Sequence, residues 1–181
     1  MKKFFTVCLA LIASFTAHAG NMEYIGTVTG EYYNEFWDMT SEQQMKMYVD
    51  EHNIAFTTDS AMPATFFTLD SSATTQEQLL NVAKKGIEWA SVAKQNGVDI
   101  KKDITEIKGF KNSMFTASFE SMNGGQSSVI HVHIKDYENM FYNDKFYINT
   151  NHLPHMVSLL EQVPSLVEQA KQTTQNEAMF N

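Results

Sequence analysis

The chain has 181 residues, 43% of them apolar and 19% charged, with thirteen lysines, no arginine and twenty-one carboxylates for a formal charge of −8. That balance belongs to a folded domain. The missing guanidinium groups and the negative charge together set aside nucleic-acid and polyphosphate partners, which are held by cationic, bidentate donors.

The N-terminus reads Met1-Lys2-Lys3, then an apolar run from Phe4 to Phe15, then Ala17-His18-Ala19. A basic start, a short apolar stretch and an Ala-x-Ala exit predict a secretory signal peptide cleaved after Ala19. The expected mature domain, 20–181, carries eleven lysines against twenty-one carboxylates and no cysteine, Cys8 lying inside the leader. A periplasmic or secreted protein is expected. No later segment approaches the roughly 20 apolar residues of a membrane span, so no stable membrane anchor is expected after cleavage.

Residues 22–37 are rich in β-formers, among them Tyr24, Ile25, Thr27, Val28, Tyr32 and Tyr33, and read as extended structure. Thr40 with Gln43 resembles a capping box, and Met45, Tyr48, Val49 and His52 recur at helical spacing, which predicts a helix over 41–52. Two strands are expected at 54–58 and 64–69 around a turn at 59–63. Thr75 with Gln78 repeats the capping pattern, and Leu79, Leu80, Ala83, Ile87, Ala90 and Val92 form a helical stripe that Asn96-Gly97 stops. The period then changes to two, predicting strands at 98–107, 113–121, 127–135 and 145–150, with Asn123-Gly124-Gly125 turning a hairpin. Helical spacing returns over 152–171, with Pro164 kinking that helix or starting another. A polar tail, 173–181, is expected to fray. The sum is one α+β domain, an antiparallel meandering sheet packed against two or three helices.

Two features point to chemistry. The segment 20–60 holds eight acids and one base, Lys46, and interleaves them with aromatics in Glu31-Tyr32-Tyr33-Asn34-Glu35-Phe36-Trp37-Asp38. Acids steer a cationic partner and aromatics anchor it, so Glu31, Tyr32, Tyr33, Glu35, Phe36, Trp37 and Asp38 form a candidate surface for a basic protein. The competing reading places the aromatics in the core and gives the acids to solubility. The second feature is His131-Val132-His133, two imidazoles on one face of a strand, with His152 and His155 following. These four could ligate zinc or copper; alternatively, His131 and His133 are two solvated histidines opposite a core face of Ile130, Val132 and Ile134. For catalysis there is no mature cysteine, no Gly-x-Ser-x-Gly elbow and no His-Glu-x-x-His helix, so no catalytic residue and no cofactor are expected.

From Met62 onward the chain runs through the extended Met62-Pro63-Ala64-Thr65-Phe66-Phe67, a helix from Leu79 to Ala93, a hairpin from Met114 to Ile134, Lys145-Phe146-Tyr147-Ile148 and a closing helix through Leu160 and Val167. In that order of elements it resembles the PsbP-like α+β domains of bacterial envelope proteins. The resemblance implies a non-catalytic interaction module, and in some such domains an immunity protein that blocks an imported toxin. Three readings stay open: an inhibitor or immunity protein with a basic partner, a metal-binding envelope protein, and a small-molecule carrier lined by Phe115, Phe119 and Phe146.

Overall fold

The computed structural model describes residues 22–34, 39–58, 66–109, 112–136 and 143–180. The expected signal peptide, the expected turn at 59–63 and the four residues Glu35, Phe36, Trp37 and Asp38 lie outside them. Among the described residues there are eight strands: β1 (Glu23–Asn34), β2 (Met39–Val49), β3 (Asn53–Thr58), β4 (Phe66–Asp70), β5 (Lys101–Lys108), β6 (Ser113–Met122), β7 (Ser127–Asp136) and β8 (Asn143–Asn149). The helices are α1 (Ala73–Asn96), α2 (Leu153–Leu160), entered through a 3-10 turn at Thr150–His152, and α3 (Val163–Phe180).

The strands form one antiparallel sheet in the order β4-β3-β2-β1-β8-β7-β6-β5. It is two four-strand meanders, β1 to β4 and β5 to β8, joined where Tyr32 of β1 pairs with Phe146 of β8. Helix α1 carries the chain from one edge of the sheet to the other.

The sheet is rolled. In a flat sheet β3 and β6 would stand five strand spacings apart, about 24 Å. Instead Phe56 of β3 stacks on Phe115 of β6 at 6.3 Å, and its cross-strand neighbour Phe67 of β4 stacks on the same ring at 6.0 Å. No backbone ladder joins β4 to β5 among the described residues. Inside the roll, Val28, Met45, Met47, Phe119, Ile130, Val132 and Ile148 meet Leu79 and Val82 of α1, Leu153 and Met156 of α2, and Val167 of α3 in one buried cluster. Phe115, Phe119 and Phe146 are all within 2% of complete burial, so the expected carrier pocket is a filled core.

The expected helix over 41–52 is strand β2. Its Met45, Met47 and Val49 are buried while the residues between them are only partly covered, a period of two that the pairing with β1 and β3 fixes. Local spacing loses to tertiary pairing here, because Met45 and Val49 are four apart and satisfy both periods. His52 lies in the following turn, where Asp50 Oδ1 accepts hydrogen bonds from the His52 and Asn53 amides at 2.8 and 2.7 Å. Pro164 does start a separate helix, and α3 continues to Phe180, past Thr173 where fraying is expected. No glycine or proline interrupts that stretch, and the Thr173 hydroxyl donates back to the Gln169 carbonyl.

Helix α1 begins earlier than its capping-box reading. Ser72 is the cap, its hydroxyl accepting from the Thr75 amide at 3.3 Å, and Asp70 Oδ1 accepts from the Ser72 amide and the Thr75 hydroxyl. Hydrogen bonds from Ser72 first, with Thr75 adding, hold the Asp70 carboxyl below its ordinary range despite partial desolvation. Removing the cap with Ser72→Ala is expected to cost about 1 kcal/mol, read as a lowered denaturant midpoint at unchanged slope. At the other end Gly97 takes the left-handed conformation, φ +63°, and its amide bonds the Ala93 carbonyl.

Candidate functional site

Helices cover one face of the sheet, and the polar residues of β1, β2, β6, β7 and β8 look out from the other. Strand alternation sends Ile130 and Val132 inward, so His131 and His133 point outward. Register then assembles two rows. Ser118, His131, Tyr147, Glu31 and Glu42 stand side by side across β6, β7, β8, β1 and β2, and Thr116, His133, Lys145, Tyr33 and Thr40 form the next row.

The middle of this grid is aromatic and cationic. The Tyr147 ring meets His131 edge-on at 4.8 Å and 84°, and Lys145 Nζ lies 5.6 Å from the centre of the Tyr33 ring, a cation–π distance. Two shallow depressions flank Tyr147. One, of about 190 Å³, is lined by Thr116, Ser118, His131, His133 and Lys145; the other, of about 170 Å³, by Thr29, Glu31, Glu42, Asn149 and His152.

His131 is half-buried, with Nε2 lying 2.8 Å from Glu120 Oε2, an oxygen that also lies 3.3 Å from Lys101 Nζ. The attraction between the imidazole and that carboxylate is mainly coulombic, with a smaller hydrogen-bonding part. Burial pushes the His131 imidazole below its ordinary 6.5; the Glu120 carboxylate opposes that and Lys101 reinforces it. The unfolded chain therefore binds this proton more readily than the folded one. The folded state carries no such penalty above 6.5, and stability is lost as pH falls from there toward the lower folded value. The denaturant midpoint is expected to drop between pH 7.5 and 5, and to drop less in His131→Gln. Equal drops in the two proteins would contradict this assignment.

Of the residues expected at a partner surface, Glu31 and Tyr33 face outward, whereas Tyr32 packs against the core from β1. Of the histidines, His131 and His133 share the outer face, His152 lines the second depression from the 3-10 turn, and His155 is exposed on α2. Among the described residues no three side chains of His, Cys, Asp or Glu are grouped so as to hold a metal ion. Sequence reasoning counts Glu42 only among the acids of 20–60 and misses Tyr147, Lys145, Thr116 and Ser118. Their only sequence signal is alternation within their strands, and membership of the site follows from register between strands far apart in the chain.

No family model and no curated protein matches the chain. Two solved structures are similar: outer surface protein E, at 10% identity over 75% of this chain and 84% of its own with a TM-score of 0.37, and complement regulator-acquiring surface protein 3 from Borrelia burgdorferi, at 12% identity over 75% and 98% with a TM-score of 0.36. Neither is a PsbP-like domain. A likeness at that level establishes no shared activity. No helix among the described residues is long and apolar enough to cross a membrane.

Proposed function

We propose that this is an exported, non-enzymatic interaction protein whose acidic β1–β2 ribbon binds a basic protein partner, in the manner of an inhibitor or immunity protein. The observation that supports the reading is the placement of Glu31 directly opposite Glu42 on adjacent strands, both exposed. Like charges so placed repel and destabilise the ladder. A cationic side chain laid between them reverses that cost. Tyr33 and Tyr147 stand beside the pair and supply the aromatic contact that interfaces favour.

The ribbon is also accessible. Residues 39–42 of β2 are exposed, and among the described residues β3 pairs with β2 from Met45 to Val49. The sequence joining the two strands adds Glu35 and Asp38, charges of the same sign, with Phe36 and Trp37 between them. Such a field accelerates encounter with a basic surface and is weakened by salt.

Native mass spectrometry of the protein isolated from the envelope of its own host, before and after mild chelation, tests the reading. The expected result is a complex with a protein of net positive charge that is absent when Glu31→Gln/Glu42→Gln is isolated in the same way. The same complex at undiminished occupancy in the double variant would overturn the role of the ribbon. Protein carrying one or two zinc or copper ions lost on chelation, with no partner, would instead favour His131 and His133 as ligands.

A further inference from the structure

We propose that the basic partner is held by strand addition: an extended segment of it, with lysine or arginine at alternate positions, pairs with the free edge of β2 over residues 39–44. The inference rests on the basic-partner reading and adds the way in which that partner is recognised. Over 39–44, β2 pairs with β1 in unbroken register, and among the described residues no strand pairs with its other side. Backbone amides and carbonyls of alternate residues there point away from β1, which is the template that an incoming strand needs.

The two ends of the sheet are defended against such pairing. Strand β4 is five residues long, and β5 carries Lys101, Lys102 and Lys108 with a register shift between Asp103 and Thr105. Short strands, lysines and bulges are the devices that protect a sheet edge. The stretch Met39-Thr40-Ser41-Glu42-Gln43-Gln44 has no lysine, no proline and no register shift. Its one charge, Glu42, stands opposite Glu31, so the row that crosses the outer face ends on a repulsive pair. An added strand lies about 4.8 Å beyond β2 and puts a side chain directly opposite Glu42 on that face. A lysine or arginine there offsets the repulsion, whereas a carboxylate increases it. On the inner side, Gln43 Nε2 donates to Ser41 Oγ at 3.3 Å, while Gln43 Oε1 is buried and accepts no hydrogen bond. A buried acceptor without a donor is costly, and a hydroxyl residue between the basic ones brings a donor to that side.

The probes are a capped hexapeptide of alternating lysine and threonine and two forms of it, one N-methylated at every lysine amide and one at every threonine amide, titrated into the mature protein and followed by NMR. In an antiparallel pair one alternate set of backbone groups faces the neighbouring strand and the other faces away. Charge is therefore kept in both forms while one of them loses its ladder. The parent peptide is expected to bind saturably with a dissociation constant of about 1 mM or tighter, to slow amide hydrogen exchange within 39–44, and to bind at least about threefold more weakly to Glu42→Gln. One methylated form should match the parent within about twofold, and the other should bind at least about tenfold more weakly. Equal affinities of the two methylated forms, whether retained or lost, or no saturable binding of the parent, would overturn strand addition. Should the methylated forms bind equally while native mass spectrometry still finds a basic partner that Glu31→Gln/Glu42→Gln loses, strand addition alone falls and the basic-partner reading stands.

Discussion

Phe115→Ala is expected to lower the stability of the folded protein by about 3–5 kcal/mol. The ring is 1% exposed and stacks on both Phe56 and Phe67, side chains from the far end of the sheet order. Truncation leaves a cavity and also removes the contact that holds the roll shut. For a domain of this size the melting temperature should fall by roughly 10 °C. Phe115→Leu, which fills part of the space, should recover about half of that. A cost under about 1 kcal/mol for the alanine variant would mean that something other than this aromatic stack closes the sheet.

Gly125→Ala is expected to cost at least about 3 kcal/mol, a left-handed backbone penalty plus overpacking. Gly125 has φ +74°, and a Cβ there would meet the Ala93 carbonyl oxygen of α1 at 2.4 Å. Backbone of this kind cannot rotate away as a side chain can. The hairpin would have to lift from the end of α1, straining the bonds by which Asp99 Oδ1 accepts from the Gly124 and Gly125 amides at 2.7 and 3.4 Å. Gly97→Ala is the control, since φ is +63° there but nothing lies within 4 Å of the added carbon. It should cost about 1 kcal/mol, and equal losses in the two variants would remove the packing argument.

Much of the fold is legible in the chain because its signals are local. The stripe from Leu79 to Val92 and the stop at Gly97 specify α1, and Asn123-Gly124-Gly125 specifies a hairpin that the positive φ angles of all three residues confirm. Strand β2 is misread because Met45 and Val49 fit a helical and an extended period equally, and only the pairing with β1 and β3 decides between them. The start of α1 shifts from Thr75 to Ser72 for a similar reason: both are good caps, and Asp70 selects the earlier one by accepting hydrogen bonds from Ser72 and Thr75 together.

The outer face is legible only in fragments. Alternation places His131 and His133 outward together, and composition marks 20–60 as acidic and aromatic. That Tyr147 stands between His131 and Glu31 depends on β8 pairing with β7 on one side and with β1 on the other, the latter across more than a hundred residues of chain. Nothing in the local sequence of β1 announces that neighbour. The rolling of the sheet is hidden in the same way, since it rests on Phe56, Phe67 and Phe115 meeting across the whole strand order.

Site-specific photocrosslinking in the native host tests the central claim most directly, with a photoreactive residue placed at Glu31, at Glu42, or at the exposed Ser158 of α2 as a control. The predicted result is a single adduct from positions 31 and 42 whose captured protein is basic, absent from position 158 and diminished as ionic strength rises. An adduct formed equally from Ser158, or an acidic protein captured at Glu42, would contradict a ribbon built to receive a cationic surface.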